Sequence, residues 1–171
     1  IGNSAGSGAT GASFSNFIGL GAGANALLAQ YSNFLGTNAG SSATNAYSSN
    51  FLGYNAGNNA QNASYSNFFG RFAGTVAVNA SGSNFLGFYS GYSASNAAYS
   101  TIIGYQSGYR PVGSTGIGAN NVIIGTGVSL PDNYANGINL GGLIFGSGSI
   151  FNTSSTIAVS GSANGRVGIN Q

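Results

Sequence analysis

The chain has 171 residues, of which 3 are Lys or Arg, 1 is Asp or Glu and none is His or Cys, so charged residues make up 2% where about 25% is usual. That inventory excludes disulfides, thiolate metal sites, a Ser-His-Asp triad and a pair of carboxylates within one chain. Arg71, Arg110 and Arg166 are too scattered for a nucleic-acid footprint, and no apolar run approaches the ~18 residues of a membrane helix.

The opening "IGNSAG" at positions 1 to 6 aligns with "IGLGAG" at 18 to 23. The chain therefore starts inside a repeat and reads as a piece of a longer protein. The phrase "SNFLGTNAG" at 32 to 40 returns as "SNFLGYNAG" at 49 to 57, and the glycine closing each copy falls at 19, 36, 53, 70, 87 and 104, always 17 residues after the last. Ala holds 9, 26, 43, 60, 77 and 94, and again 12, 29, 46, 63, 80 and 97. A second Gly column runs through 6, 23, 40, 57, 74, 91 and 108.

A period of 17 is too short for helical-pair repeats or propeller blades, which need ~34 and ~40 residues, and is near one turn of a β-solenoid. Helices are further disfavoured by 31 glycines, each costing about 1 kcal/mol in a helix interior. The run "NFLG" is short, aromatic and glycine-bounded, so it reads as a strand. The expected fold is all-β, a repetitive solenoid with two or three short strands per rung between Gly and Asn corners. Residues 1–108 form its regular shaft.

After Gly104 the rhythm loosens: "NVIIG" ends at Gly125 and "GLIFG" at Gly146, each spaced by 21. The inserts carry "YRPVGSTG" and "LPDNYANG", rich in turn formers. Residues 109–146 are read as the same coil with longer loops, and 147–171 as a C-terminal transition segment.

Side chains alternate faces along a strand, yet both apolar positions of the phrase persist. One column is Phe17, Phe34, Phe51, Phe68, Phe85, Ile102, Ile123 and Ile144; the other is Ile18, Leu35, Leu52, Phe69, Leu86, Ile103, Ile124 and Phe145. One face fills the coil. The other needs cover, because a continuous apolar column is the kind of patch that marks an interface. The simplest cover is an identical chain in closed symmetry, and the expectation is a parallel homotrimeric fibre.

Stacking accounts for the missing charges. Equivalent positions lie ~4.8 Å apart, where unit charges repel by roughly 1 kcal/mol even in water. Asn and Ser avoid this and form hydrogen-bonded ladders, Asn50 being the first candidate.

The remaining motifs yield little chemistry. "GLGAGANA" at 19 to 26 looks like a phosphate loop, but its glycines sit in repeat columns and no Lys follows. The triplets at Asn62, Asn79 and Asn152 match the N-glycosylation pattern, as chance supplies in so Asn- and Ser-rich a chain. Asp132 follows Pro131 and reads as a turn residue before a cation ligand at a trimer axis. No column is Thr, as an ice-binding face would need. Tyr54, Tyr89, Tyr92, Tyr105, Tyr109 and Tyr134 are candidates for contacts, with surface filling the commoner role. Loops on a rigid shaft carry recognition, so Tyr109, Arg110, Asp132 and Tyr134 in the inserts are the candidate receptor contacts. No catalytic residue, cofactor or metal site is expected.

"SNFLGYNAG", "STIIGYQSGYR" and "NNVIIGTG" resemble the repeats of phage tail fibres and related bacterial fibre proteins. The tail "GLIFGSGSIFNTSSTIAVSGSANGRVGIN" is similar to the segment leading, in those fibres, into an intramolecular chaperone of the endosialidase type. The likeness spans nearly the whole chain, although here Gly168-Ile169-Asn170-Gln171 stands where the family has V-G-I-G-T. A second resemblance is to trimeric autotransporter adhesin heads. The likeness implies a trimeric, extracellular, β-structured fibre that is not an enzyme, whose partners are its own copies and a cell-surface glycan or protein, with no nucleic acid and no membrane insertion. The competing readings are a bacterial surface adhesin and a self-polymerising, amyloid-like filament.

Overall fold

The computed structural model describes residues 1–147 and 168–169. Among these residues ten strands form one sheet in chain order: β1 (Asn16–Ile18), β2 (Asn33–Leu35), β3 (Asn50–Leu52), β4 (Asn67–Phe69), β5 (Asn84–Leu86), β6 (Thr101–Ile103), β7 (Val122–Ile124), β8 (Gly137–Leu140), β9 (Ile144–Ser147) and β10 (Gly168–Ile169). Neighbours from β1 to β8 pair in parallel, and those from β1 to β6 are in register at 17 residues, so Phe34 faces Phe51 and Phe51 faces Phe68. The chain is a parallel β-solenoid.

Each rung from β1 to β7 has one three-residue strand, not the two or three expected. A second contact line reduces to single-residue parallel bridges, Thr10 to Leu27 to Thr44 to Gln61 to Val78 to Ser95. Turns build the rest. In "GYNAGNNA", the Ala56, Asn58 and Ala60 amides donate to the Gly53, Asn55 and Gly57 carbonyls at 3.2, 3.2 and 3.0 Å. The third residues of these overlapping turns, Asn55, Gly57 and Asn59, have φ of 54°, 62° and 55°. That is the requirement of a type II turn, and Gly and Asn meet it at least cost.

Backbone groups left over by the turns point along the axis. Asn55, Asn59 and Tyr65 donate to Thr37, Ser41 and Tyr47 of the preceding rung, while Gly57 and Gln61 donate to Ala73 and Ala77 of the next, all at 2.8 to 2.9 Å. A rung therefore satisfies its polar backbone only between two others, as repeat architectures require.

The interior is narrow. Phe34, Phe51, Phe68 and Phe85 are fully buried and stack with ring centroids 4.6 to 4.7 Å apart and interplanar angles of 3° to 5°. Columns of Ala, such as Ala39, Ala43 and Ala46, line the opposite wall with no exposed surface. Beside them runs a buried serine column. Ser49 Oγ donates to the Ala63 carbonyl at 2.6 Å and accepts the Ser66 amide at 3.2 Å, and Ser32, Ser66 and Ser83 repeat the arrangement.

The end of the coil departs from the expected spacing. β7 pairs in parallel with β8, placing Val122 opposite Ile138, so the next rung after "NVIIG" is "GINL" rather than "GLIFG". Ile144 and Phe145 lie on β9, antiparallel to β8, with Leu140 opposite Ile144 and Asn139 opposite Phe145. They do not extend the two apolar columns. The cause is local: Gly141 and Gly142 take φ of 62° and 78° and reverse the chain within three residues, which no loop of rung length could do. β10 adds antiparallel to β9. Most of the 147–171 segment, with Asn152 and Arg166, lies outside the described residues.

Candidate functional site

Three surfaces carry functional-looking side chains, apart from the exposed rings of Phe14, Tyr31, Tyr65 and Tyr99 at a separate repeat position. The first is the outer face of the sheet. In β1 to β5 the strand residues alternate, so Asn and the second apolar residue both point outward around a Phe that is partly buried in β1 and fully buried from β2 onward. Asn16, Asn33, Asn50 and Asn67 each donate Nδ2 to the Oδ1 of the next Asn, ending on Asn84, at 2.7 to 2.9 Å. The expected Asn50 ladder is thus present. Next to it runs the second apolar column. Leu35, Leu52, Leu86 and Ile103 are half-buried, while Ile18, Phe69 and Ile124 are 38% to 43% exposed. Asn16, Asn33 and Asn50 form one wall of a shallow groove whose other wall is Ile18, Leu35, Leu52 and Phe69.

A second Asn ladder was not expected. Asn45, Asn62 and Asn79 donate Nδ2 to Asn62, Asn79 and Asn96 at 2.6, 2.8 and 3.0 Å. Each sits at positive φ, 49° to 57°. The amide nitrogens of two sequence-matched glycosylation triplets, at Asn62 and Asn79, are therefore already engaged in the ladder.

The second surface is the junction of the two inserts. Arg110 Nη1 lies 2.9 Å from Asp132 Oδ1, and Thr115 Oγ1 donates to Asp132 Oδ2 at 2.7 Å. Arg110 Nη2 also donates to the Leu130 carbonyl. Beneath them Asn121 takes the place of the serine column: its amide meets Ser100 Oγ at 3.1 Å, its Nδ2 reaches the Tyr134 and Gly118 carbonyls at 2.6 and 3.0 Å, and its Oδ1 accepts the Gly137 amide at 2.7 Å. The inserts are thereby pinned to each other and to the coil. Of the four candidate receptor contacts, the structure brings Arg110 and Asp132 together as an ion pair, tucks Tyr134 against the core and leaves Tyr109 39% exposed.

The third surface is an aromatic corner just past the strands. Phe88 stacks on Tyr105 with centroids 5.3 Å apart, and Phe72 on Tyr89 at 4.7 Å. The two tracks meet edge to face, Phe88 on Tyr89 at 85°. Tyr92 and Tyr109 stack at 5.3 Å, with Tyr92 set edge-on to Tyr89. The Arg71 guanidinium carbon lies 5.0 Å from the Phe72 centroid and 5.5 Å from those of Tyr54 and Phe88, within cation–π range. Of the six tyrosines singled out by sequence, Tyr54, Tyr89, Tyr92, Tyr105 and Tyr109 fall here and Tyr134 packs against the core instead, while Phe72, Phe88 and Arg71 were missed. The signal was present in the columns: Leu20, Thr37, Tyr54, Arg71, Phe88 and Tyr105 share one repeat position.

No family model, curated protein or solved structure matches the chain. What it does has to be argued from these surfaces.

Proposed function

We propose that the chain serves as the shaft of an extracellular or virion fibre, without catalysis of its own, and that it works as a parallel homotrimer whose task is reach and stiffness in support of surface attachment. One observation carries the reading: an uninterrupted apolar strip, Ile18 to Ile124, runs along the outer face of a solenoid whose backbone polar groups are spent between rungs. A half-exposed apolar column of this length supports contact with another surface. Its neighbours, a closed Asn ladder and no charge, suit contact with an identical face by rotation about a common axis. The rungs also suit a stiff rod, since each is fixed by hydrogen bonds above and below.

Light scattering with negative-stain microscopy tests this. The expected result is three chains per particle and rods of uniform length, with Leu52→Glu plus Leu86→Glu dispersing them into single chains of unchanged circular dichroism. Wild-type single chains would remove the trimer. Filaments of unlimited length would replace the shaft by a self-polymerising filament.

A further inference from the structure

We propose that the aromatic corner around Arg71 is a binding site for an anionic polysaccharide, laid along the fibre axis with its acidic groups on Arg71 and its sugar faces on the flanking rings. The inference goes beyond the shaft reading and does not depend on the trimer.

Among the described residues the cationic side chains are Arg71 and Arg110, and Arg110 is committed to Asp132 and to the Leu130 carbonyl. Arg71 is exposed, and no ion pair or hydrogen bond to its guanidinium is found among the described residues. In a coil that avoids charge at nearly every repeat position, its five donors face solvent from the middle of an aromatic cluster. A guanidinium held over ring faces is pre-oriented for a carboxylate or sulfate.

Phe72 and Tyr89 stand at a turn position, with φ of 60° and 56°, that Ser4, Gly21, Asn38 and Asn55 hold in the earlier rungs, so the two rings enter the patch where those rungs carry small or polar residues.

Tyr54 and Tyr105 mark the ends of the patch, 45% and 51% exposed, and the three rung steps between them span about 14 Å. That is a linear track for a polymer, with tyrosine hydroxyls to meet sugar hydroxyls and ring surface to meet sugar faces. A neutral glycan would leave Arg71 unused, and an acidic peptide would leave the rings unused.

The test is titration of the intact protein with sodium polygalacturonate, dextran sulfate, neutral dextran and poly-glutamate at low salt. The expected result is binding of the two anionic polysaccharides, weakened by salt, with dextran and poly-glutamate binding at least about tenfold more weakly. Arg71→Gln should lose about tenfold of the polygalacturonate affinity with its melting temperature unchanged, while Arg71→Lys loses less. Tyr105→Ala should weaken binding without altering the salt dependence. The proposal is overturned if neither anionic polysaccharide binds, if Arg71→Gln binds as the wild type does, or if poly-glutamate binds equally well.

Discussion

Gly57 and Phe51 share one rung and one space: a Cβ on Gly57 would stand 2.3 Å from Phe51 Cδ2. The same holds for Gly40 with Phe34 and for Gly74 with Phe68, at 2.2 and 2.3 Å. The second Gly column of the repeat is thus the complement of the Phe column, and its positive φ, 62° at Gly57, adds a second reason for glycine. Gly57→Ala should cost about 2–4 kcal/mol, of which about 1–2 is the left-handed conformation and the rest overpacking. Phe51→Ala should cost about 3–5 kcal/mol through its cavity. Because the ring is what the new methyl meets, the double variant should be less unstable than the sum by about 1–2 kcal/mol. Thermal melts of the four proteins decide it, and strict additivity would mean the ring moves aside freely.

The serine column gives a prediction with an internal control. Ser66 is fully buried; its Oγ donates to the Ala80 carbonyl at 2.7 Å and accepts the Ser83 amide at 3.2 Å. Ser66→Ala leaves both backbone groups buried without a partner, a loss of about 2–3 kcal/mol. Ser64→Ala, whose hydroxyl makes one exposed bond to the Asn45 carbonyl, should cost under about 0.5 kcal/mol. Hydrogen exchange would show the Ser83 amide accelerated in the first variant and unchanged in the second.

The two predictions mark what the sequence makes legible. Spacing alone identifies the rung, because a column of identical residues can only mean stacked equivalents, and alternation within "NFL" tells that two faces exist. Which turns join the strands is hidden, since Tyr31, Tyr65 and Val76 hold left-handed φ of 57°, 59° and 49° against their own preference; the rungs on either side impose it. The serine role is hidden too, because a hydroxyl in a Ser-rich chain carries no mark of burial. At the C-terminal end the similarity of "GLIFG" to "NVIIG" misleads. Both are apolar runs ending in Gly, and only the Gly141-Gly142 pair ahead of the second distinguishes a hairpin from a further rung.

Charge avoidance can be tested directly on the outer ladder. In wild type each Asn presents a donor to one neighbour and an acceptor to the other, as Asn50 does between Asn33 and Asn67 at 2.8 Å on both sides. Replacing Asn33, Asn50 and Asn67 together by Asp removes the donors and sets like charges ~4.8 Å apart, roughly 1 kcal/mol of repulsion per adjacent pair in water. Neighbouring carboxylates raise one another's folded-state pKa above the unfolded value. The variant should therefore be most stable below the unfolded carboxylate range, lose stability as pH rises through the raised values, and regain part of it in high salt. A melt series across pH and salt measures this. Wild-type stability at neutral pH and low salt would show that repulsion does not shape the composition.

Asn121 ties the inserts to the coil, so its loss should be felt locally. Its carboxamide holds the Gly137 amide at 2.7 Å and the Tyr134 carbonyl at 2.6 Å from a fully buried position. Asn121→Ala should cost about 2–4 kcal/mol through the unpaired backbone groups and lost packing, but only in the last rungs, since stability in stacked repeats is close to a sum of neighbour terms. Proteolysis should then cut within the two inserts while the rungs before Ser100 stay protected from exchange. Asn121→Asp is the sharper variant. It keeps the acceptor for Gly137 and turns the donor into an oxygen facing the Tyr134 and Gly118 carbonyls. Burial and those carbonyls disfavour the charged form and raise the folded-state pKa, so stability is retained at low pH, where the protonated acid still donates, and is lost as pH rises through that raised value. Exchange rates of the Gly137 amide at acidic and neutral pH read this out; equal protection at both would show that the inserts are held by Arg110 and Asp132 rather than by Asn121.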